Sequence, residues 1–118
     1  LAKNVCDNDG NLYDIVKIGA QTWMAEDLKG GTADKFTWAQ ATAGVCPSGW
    51  SLPSKEDFDT LIDSGETEKW DTSTSYEWWS SSTVANNENN ARILSYEDDL
   101  SISSYPKTTA ISVRCLKD

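Results

Sequence analysis

Polar and apolar positions follow two periods along this chain. Tyr13, Ile15 and Lys17 alternate with Asp14, Val16 and Ile18, the two-residue period of a strand. Asp9-Gly10 ahead of it is a hairpin turn signal, and Gly19-Ala20 behind it turns the chain back into Thr22-Trp23-Met24-Ala25. The period then changes. Phe58, Leu61 and Ile62 stand at i, i+3 and i+4, a single helical stripe. Ser54 with Asp57 three residues on forms a capping-box pattern at its start, and Gly65 ends it. A shorter helix is predicted just upstream. Thr37 and Gln40 make the same capping pattern, and Gly44 closes the helix in a left-handed conformation. Cys46-Pro47-Ser48-Gly49-Trp50 between the two helices reads as a turn with a buried anchor.

Around this helical pair the chain reads as strand, turn and loop. Residues 29–36 form a short surface loop. Residues 66–77 are polar and suit a longer excursion over the surface, with Trp70 and Tyr76 its large side chains. Tyr76 to Ser82 reads as a central strand, and Val84 to Asn90 as a loop by composition. Two more strands, Ala91 to Tyr96 and Leu100 to Tyr105, are joined by Glu97-Asp98-Asp99. The last strand is predicted over Ala110 to Lys117, with Ile111, Val113 and Cys115 on one face. Strands, two helices and strands again predict an α+β domain spanning residues 1–118.

Composition narrows the function classes. The 118 residues include six Trp, four Tyr and two Phe, enough bulk for a core although hydrophobic content is 38%. Nineteen acidic residues against ten basic ones give a net charge of −9. That argues against nucleic acid and anionic membranes, which need basic patches. The acidic surplus reads as a solubilising surface, with calcium binding as the sharper alternative. No apolar run approaches the length of a transmembrane helix. The abrupt start at Leu1 is that of a mature fragment or an excised domain.

Cys6, Cys46 and Cys115 allow one disulfide and leave one cysteine over, and there is no histidine. A histidine-containing zinc site, a four-cysteine site and a cysteine–histidine nucleophile are all excluded. A secreted domain with one structural bridge is the simplest reading. Asp7-Asn8-Asp9-Gly10 departs from an EF-hand loop, because Val5 falls where the first ligand belongs. It reads as a plain turn.

Three stretches together resemble the Fibrobacter succinogenes major paralogous domain (FISUMP) family of extracytoplasmic bacterial modules. They are Val16 to Leu28 (VKIGAQTWMAEDL), Cys46 to Ser54 (CPSGWSLPS) and Ser112 to Asp118 (SVRCLKD), the last preceded by Trp78-Trp79-Ser80-Ser81. The match runs over nearly the whole chain in the expected order. The family is similar to the C-type-lectin-like fold and, more loosely, to the formylglycine-generating-enzyme fold. Trp38-Ala39, Cys46 and Leu52 look like the lectin-like first helix, its cysteine and its leucine. The resemblance thus implies two short helices on small, mostly antiparallel sheets with long loops. It also implies a Cys46–Cys115 disulfide, with Cys6 unpaired or joined upstream, and an extracytoplasmic location. The Glu-Pro-Asn, Gln-Pro-Asp and Trp-Asn-Asp signatures of sugar-binding C-type lectins do not occur. The resemblance therefore carries fold and not a calcium–sugar mechanism. No second cysteine lies near Cys115 in sequence for oxidation chemistry of the formylglycine kind.

Trp23, Trp38, Trp50, Trp78 and Trp79 sit inside these motifs and read mainly as core. Adjacent strand residues point to opposite faces, so one of Trp78 and Trp79 either reaches the surface or packs under the Asn-rich loop. Trp70, Tyr76, Tyr96 and Tyr105 lie outside or at the edges of the motifs. Exposed rings beside amides and carboxylates suit a carbohydrate platform, with Asn86, Asn87, Asn89, Asn90, Glu97, Asp98 and Asp99 as its polar set. The candidate ligand-binding residues are Trp70, Tyr76, Tyr96, Asn87 and Asp98. Glu97, Asp98 and Asp99 are candidate calcium ligands, Ca2+ being the one cofactor considered. No acid–base pair announces itself, and Ser80-Ser81-Ser82 has no histidine base. The expectation is a non-catalytic, secreted or cell-surface binding module whose partner is a polysaccharide. The alternative is a structural or protein-interaction domain of a surface assembly, adhesin or pilin-like, without a sugar site.

Overall fold

Ten regular elements form two antiparallel sheets and two helices. The computed structural model describes residues 4–118; the start of the chain at Leu1, and the expectation attached to it, lie outside the described residues. In chain order the elements are β1 (Asn4–Cys6), β2 (Leu12–Ile18), β3 (Gln21–Met24), α1 (Trp38–Ala41), β4 (Trp50–Ser51) and α2 (Lys55–Ile62), and then β5 (Glu77–Val84), β6 (Asn87–Glu97), β7 (Asp99–Pro106) and β8 (Leu116–Lys117). A 3₁₀ turn at Thr67–Lys69 lies between α2 and β5. One sheet has the order β1-β2-β3-β8-β4 and the other β5-β6-β7. The architecture is α+β, as the pattern predicts.

Local signals set the elements that the sequence announces. At α1 the Gln40 amide donates to Thr37 Oγ1 and the Thr37 amide to Gln40 Oε1, the two halves of a capping box. Ser54 and Asp57 repeat it at α2, where the two bonds measure 3.1 and 2.9 Å. Phe58 and Leu61 on the predicted stripe are buried, and Ile62 is half-buried. At the start of the chain the Asp7 carboxylate accepts from the amides of Asp9 and Asn11, the Asn11 side chain and the Tyr13 hydroxyl. Its acceptor sites are spent within the turn, so Asp7-Asn8-Asp9-Gly10 is a turn and not a cation loop.

Four expectations need correction. Val84 to Asn90 is not a loop: β5 and β6 meet in a tight hairpin with Ala85 and Asn86 at its tip. Asn86 takes φ 63° there, a conformation asparagine tolerates. Second, the predicted strand over Ala110 to Lys117 is regular only at Leu116–Lys117. Its earlier part is an extended segment whose hydrogen bonds go to separate neighbours. Ile111 exchanges two with Phe36, the Ser112 carbonyl accepts from Trp79, Val113 from Leu28 and Cys115 from Met24. All five residues from Ile111 to Cys115 are buried, because the segment has chain on both sides.

Third, Trp78 and Trp79 are both fully buried. They do point to opposite faces, but each face of the β5-β6-β7 sheet is covered. Trp79 joins Tyr13, Met24, Phe36 and Ile93 in one core cluster. Trp78 joins Trp23, Phe58, Leu61 and Leu94 in another. Fourth, residues 66–77 do not simply cross the surface, since Trp70 and Ser75 are buried.

A disulfide joins Cys46, in the turn after α1, to Cys115 in the interior segment, with Cα atoms 5.9 Å apart. Cys6 is a free, exposed thiol on β1. Among the described residues no helix is long and apolar enough to cross a membrane.

Candidate functional site

Tyr76 stands one residue ahead of β5 and continues its pairing, because its carbonyl accepts the Tyr96 amide at 2.8 Å. The two side chains are therefore cross-strand neighbours. Their rings stack with centroids 6.4 Å apart and planes 23° off parallel. Tyr76 is 64% exposed, one of two large apolar side chains that stand free among the described residues. Tyr96 is half-buried and pairs on its other side with Leu100 of β7. A row of Tyr76, Tyr96 and Leu100 thus crosses the end of the sheet, open at the Tyr76 side.

Beside this row lies an open depression of about 330 Å³. The 3₁₀ turn supplies Thr67 and Glu68 to one wall, and the β6–β7 turn supplies Asp98 and Asp99 to the other. Tyr96, Trp70 and Leu100 lie between them. Three of the predicted ligand residues, Trp70, Tyr96 and Asp98, therefore border one depression, and Tyr76 flanks it through its stack on Tyr96.

Trp70 is not part of an exposed platform. It is 4% exposed and meets Trp23, Phe58 and Trp78 edge to face, at centroid distances of 5.0, 6.3 and 5.3 Å. Its indole N–H is the one buried side-chain polar atom without a hydrogen-bond partner among the described residues. Asn87 does not reach the site. It begins β6, nine residues from Tyr96, or about 30 Å along an extended strand. There it lines a separate depression with Asn86, Glu88 and Lys107.

Glu97, Asp98 and Asp99 do not converge on a cation position. Glu97 and Asp99 are paired across the hairpin, and Asp98 is its tip at φ 63°. Asp99 Oδ1 accepts from the Leu100 amide. Among the described residues no group of three or more Asp, Glu or Cys side chains is placed to hold a metal.

A second polar constellation is one that residue-pattern reasoning missed. Asp27 Oδ1 accepts from Trp78 Nε1 at 2.8 Å and from Arg114 Nε and Nη2 at 3.1 and 2.5 Å. Its Oδ2 accepts from Ser75 Oγ at 2.5 Å and Thr74 Oγ1 at 3.4 Å. Ser75 in turn bonds Ser112, which accepts from Lys35 Nζ. Burial pushes the Arg114 guanidinium below its ordinary range, and the Asp27 charge opposes that shift. A depression of about 370 Å³ opens over Asp27, Ser75, Ser112 and Lys35. With both oxygens of Asp27 already engaged by the chain's own donors, this network fastens segments together and leaves no free base. Its trace in the sequence is that Asp27 and Arg114 each fall inside one of the motifs, Val16 to Leu28 and Ser112 to Asp118. The chain matches no protein-family model, no curated protein and no solved structure.

Proposed function

We propose that this domain is a non-catalytic binding module for polysaccharide, with the Tyr76–Tyr96 ledge as its contact surface. The observation that carries the reading is the stacked ring pair, Tyr76 exposed and Tyr96 half-buried, at the rim of a polar depression. An exposed ring face offers a sugar's C–H face a flat apolar partner at low entropic cost. Thr67, Glu68, Asp98 and Asp99 offer acceptors to its hydroxyl groups. The same reading places the chain with the FISUMP modules and the C-type-lectin-like fold. Two short capped helices, two small antiparallel sheets and the Cys46–Cys115 bridge support that placement. A disulfide suits an extracytoplasmic location, secreted or at the cell surface.

The test is a binding screen of the purified domain on cell-wall polysaccharides and a glycan panel, with calcium and again with chelator. Binding is expected to survive chelation and to fall at least about tenfold in Tyr76→Ala and in Tyr96→Ala, a change of about 1.4 kcal/mol. Tyr76→Ala should hold its stability within about 0.5 kcal/mol, since the side chain is largely exposed. Failure to bind any glycan would remove this reading. It would leave the structural or protein-interaction domain, whose partner is another surface protein.

A further inference from the structure

The charges lining the depression are all of one sign. Glu68, Asp98 and Asp99 border it, and among the described residues no lysine or arginine does. Two cations next to its lining residues are already committed. Lys69 is paired with Glu66. Arg114 lies 4.5 Å from the Trp70 ring centroid and is paired with Asp27. A ligand bearing carboxylate or sulfate groups would be repelled there, whereas one bearing ammonium groups would be held. Two stacked tyrosine rings add a second attraction for the same charge, through their faces.

We propose that the ledge takes a polysaccharide carrying free amino groups, in the manner of a glucosamine polymer. The proposal rests on the ledge being a glycan site. The rings would take the sugar faces, and Glu68, Asp98 and Asp99 the ammonium groups.

Calorimetry with a glucosamine hexamer, its N-acetylated counterpart, cellohexaose and an oligogalacturonate separates the possibilities. The amine oligomer is expected to bind at least about tenfold tighter than the N-acetylated one and to lose that margin at high salt. The oligogalacturonate should bind weakest. Glu68→Gln, Asp98→Asn and Asp99→Asn together should erase the preference for the amine oligomer over its N-acetylated counterpart. Asn suits the left-handed tip at position 98, and it keeps the acceptor at position 99. Circular dichroism checks that the triple variant folds. Equal affinity for amine and neutral oligomers would overturn this inference and leave the ledge standing. Amine binding that survives Tyr76→Ala would also overturn it, because the net charge of −9 alone would then explain the attraction. No binding of any oligomer would sink the ledge itself.

Discussion

Asp27 and Arg114 stand 87 residues apart in the chain and meet side-on, one carboxylate oxygen taking both Nε and Nη2 of the guanidinium. Arg114 is almost wholly enclosed, held between this carboxylate, the Asp71 carbonyl and the faces of Trp70 and Trp78. The pair ties the stretch after β3 to the interior segment that carries Cys115. It also holds Trp78 in place through its indole N–H.

Removing one partner leaves the other charge buried. Asp27→Ala is therefore expected to cost about 3–5 kcal/mol of folding stability. Asp27→Asn keeps an oxygen for Trp78 and Arg114 but loses the charge, and should cost less. Urea unfolding of both variants measures the difference. A cost for Asp27→Ala below about 1 kcal/mol would show that solvent reaches Arg114 more freely than its burial implies.

The Cys46–Cys115 bridge closes a loop of 69 residues. In the chain-entropy account such a cross-link stabilises by about 4 kcal/mol relative to the open chain. For a domain of this size that corresponds to roughly 15 °C in Tm. Thermal melts of the native protein and of Cys46→Ala/Cys115→Ala should differ by about this much. A shift of only a degree or two would mean that the interior segment is held by its hydrogen bonds and the Asp27–Arg114 pair.

Trp70 and Trp78 share one cluster but differ in one atom's surroundings. Trp78 Nε1 donates to Asp27, whereas Trp70 Nε1 has no partner among the described residues. Trp70→Phe loses ring contacts but also removes an unmet buried donor, whose presence costs about 1–3 kcal/mol. The two effects offset each other. Trp78→Phe loses contacts and also strips a donor from the half-buried Asp27 carboxylate. Chemical denaturation should therefore find Trp78→Phe the less stable by about 1–3 kcal/mol. Equal losses would indicate that the Trp70 indole is hydrated. Trp70→Ala, by contrast, opens a core cavity at about 3–5 kcal/mol and cannot serve as a probe of binding.

These contrasts show what could be read from the residues alone. The helix starts were legible because Thr37 with Gln40 and Ser54 with Asp57 act within one turn of chain. The hairpins at Asp9-Gly10 and Glu97 to Asp99 were legible for the same reason. The disulfide came from resemblance, not from spacing. Ile111 to Cys115 misled because alternation of residue types suggests one buried face, while here both faces are covered by segments distant in sequence. Trp78 and Trp70 could not be placed for a related reason. Which face of a strand is open depends on what else packs there, and here α2 with Trp23 closes the side that would have been free. Of the candidate site, the tyrosines and the β6–β7 turn were legible, because hairpin pairing brings Tyr76 beside Tyr96. Asn87 was misplaced because the β5–β6 hairpin is long and puts its tip far from the ledge.

Tyr13 and Asp7 should make stability fall at both ends of the pH scale, by opposite signs. The Tyr13 hydroxyl donates to Asp7 at 2.6 Å and accepts from the Lys29 amide at 2.8 Å. Burial, then the Asp7 hydrogen bond, pushes the phenol well above its ordinary range. A group raised on folding contributes stability that is whole below its unfolded pKa of about 10 and drains away as the pH climbs further. Asp7 is the reverse. Burial works to raise its carboxyl, but the hydrogen bonds from Tyr13, Asn11 and the turn amides outweigh it and hold it low. Its contribution is present above about pH 4 and is lost as the pH falls through the folded value. Unfolding free energies should thus be level near neutrality, dropping above about pH 10 and below about pH 4. Tyr13→Phe should flatten the alkaline limb, and Asp7→Asn the acid limb. Absorbance at 295 nm gives an independent reading, since the native protein should show one more late-ionising tyrosine than Tyr13→Phe. If the variant and the native protein ionise alike, the hydroxyl is reached by water, and the contact that fixes the first hairpin on the sheet is looser than its 2.6 Å length implies.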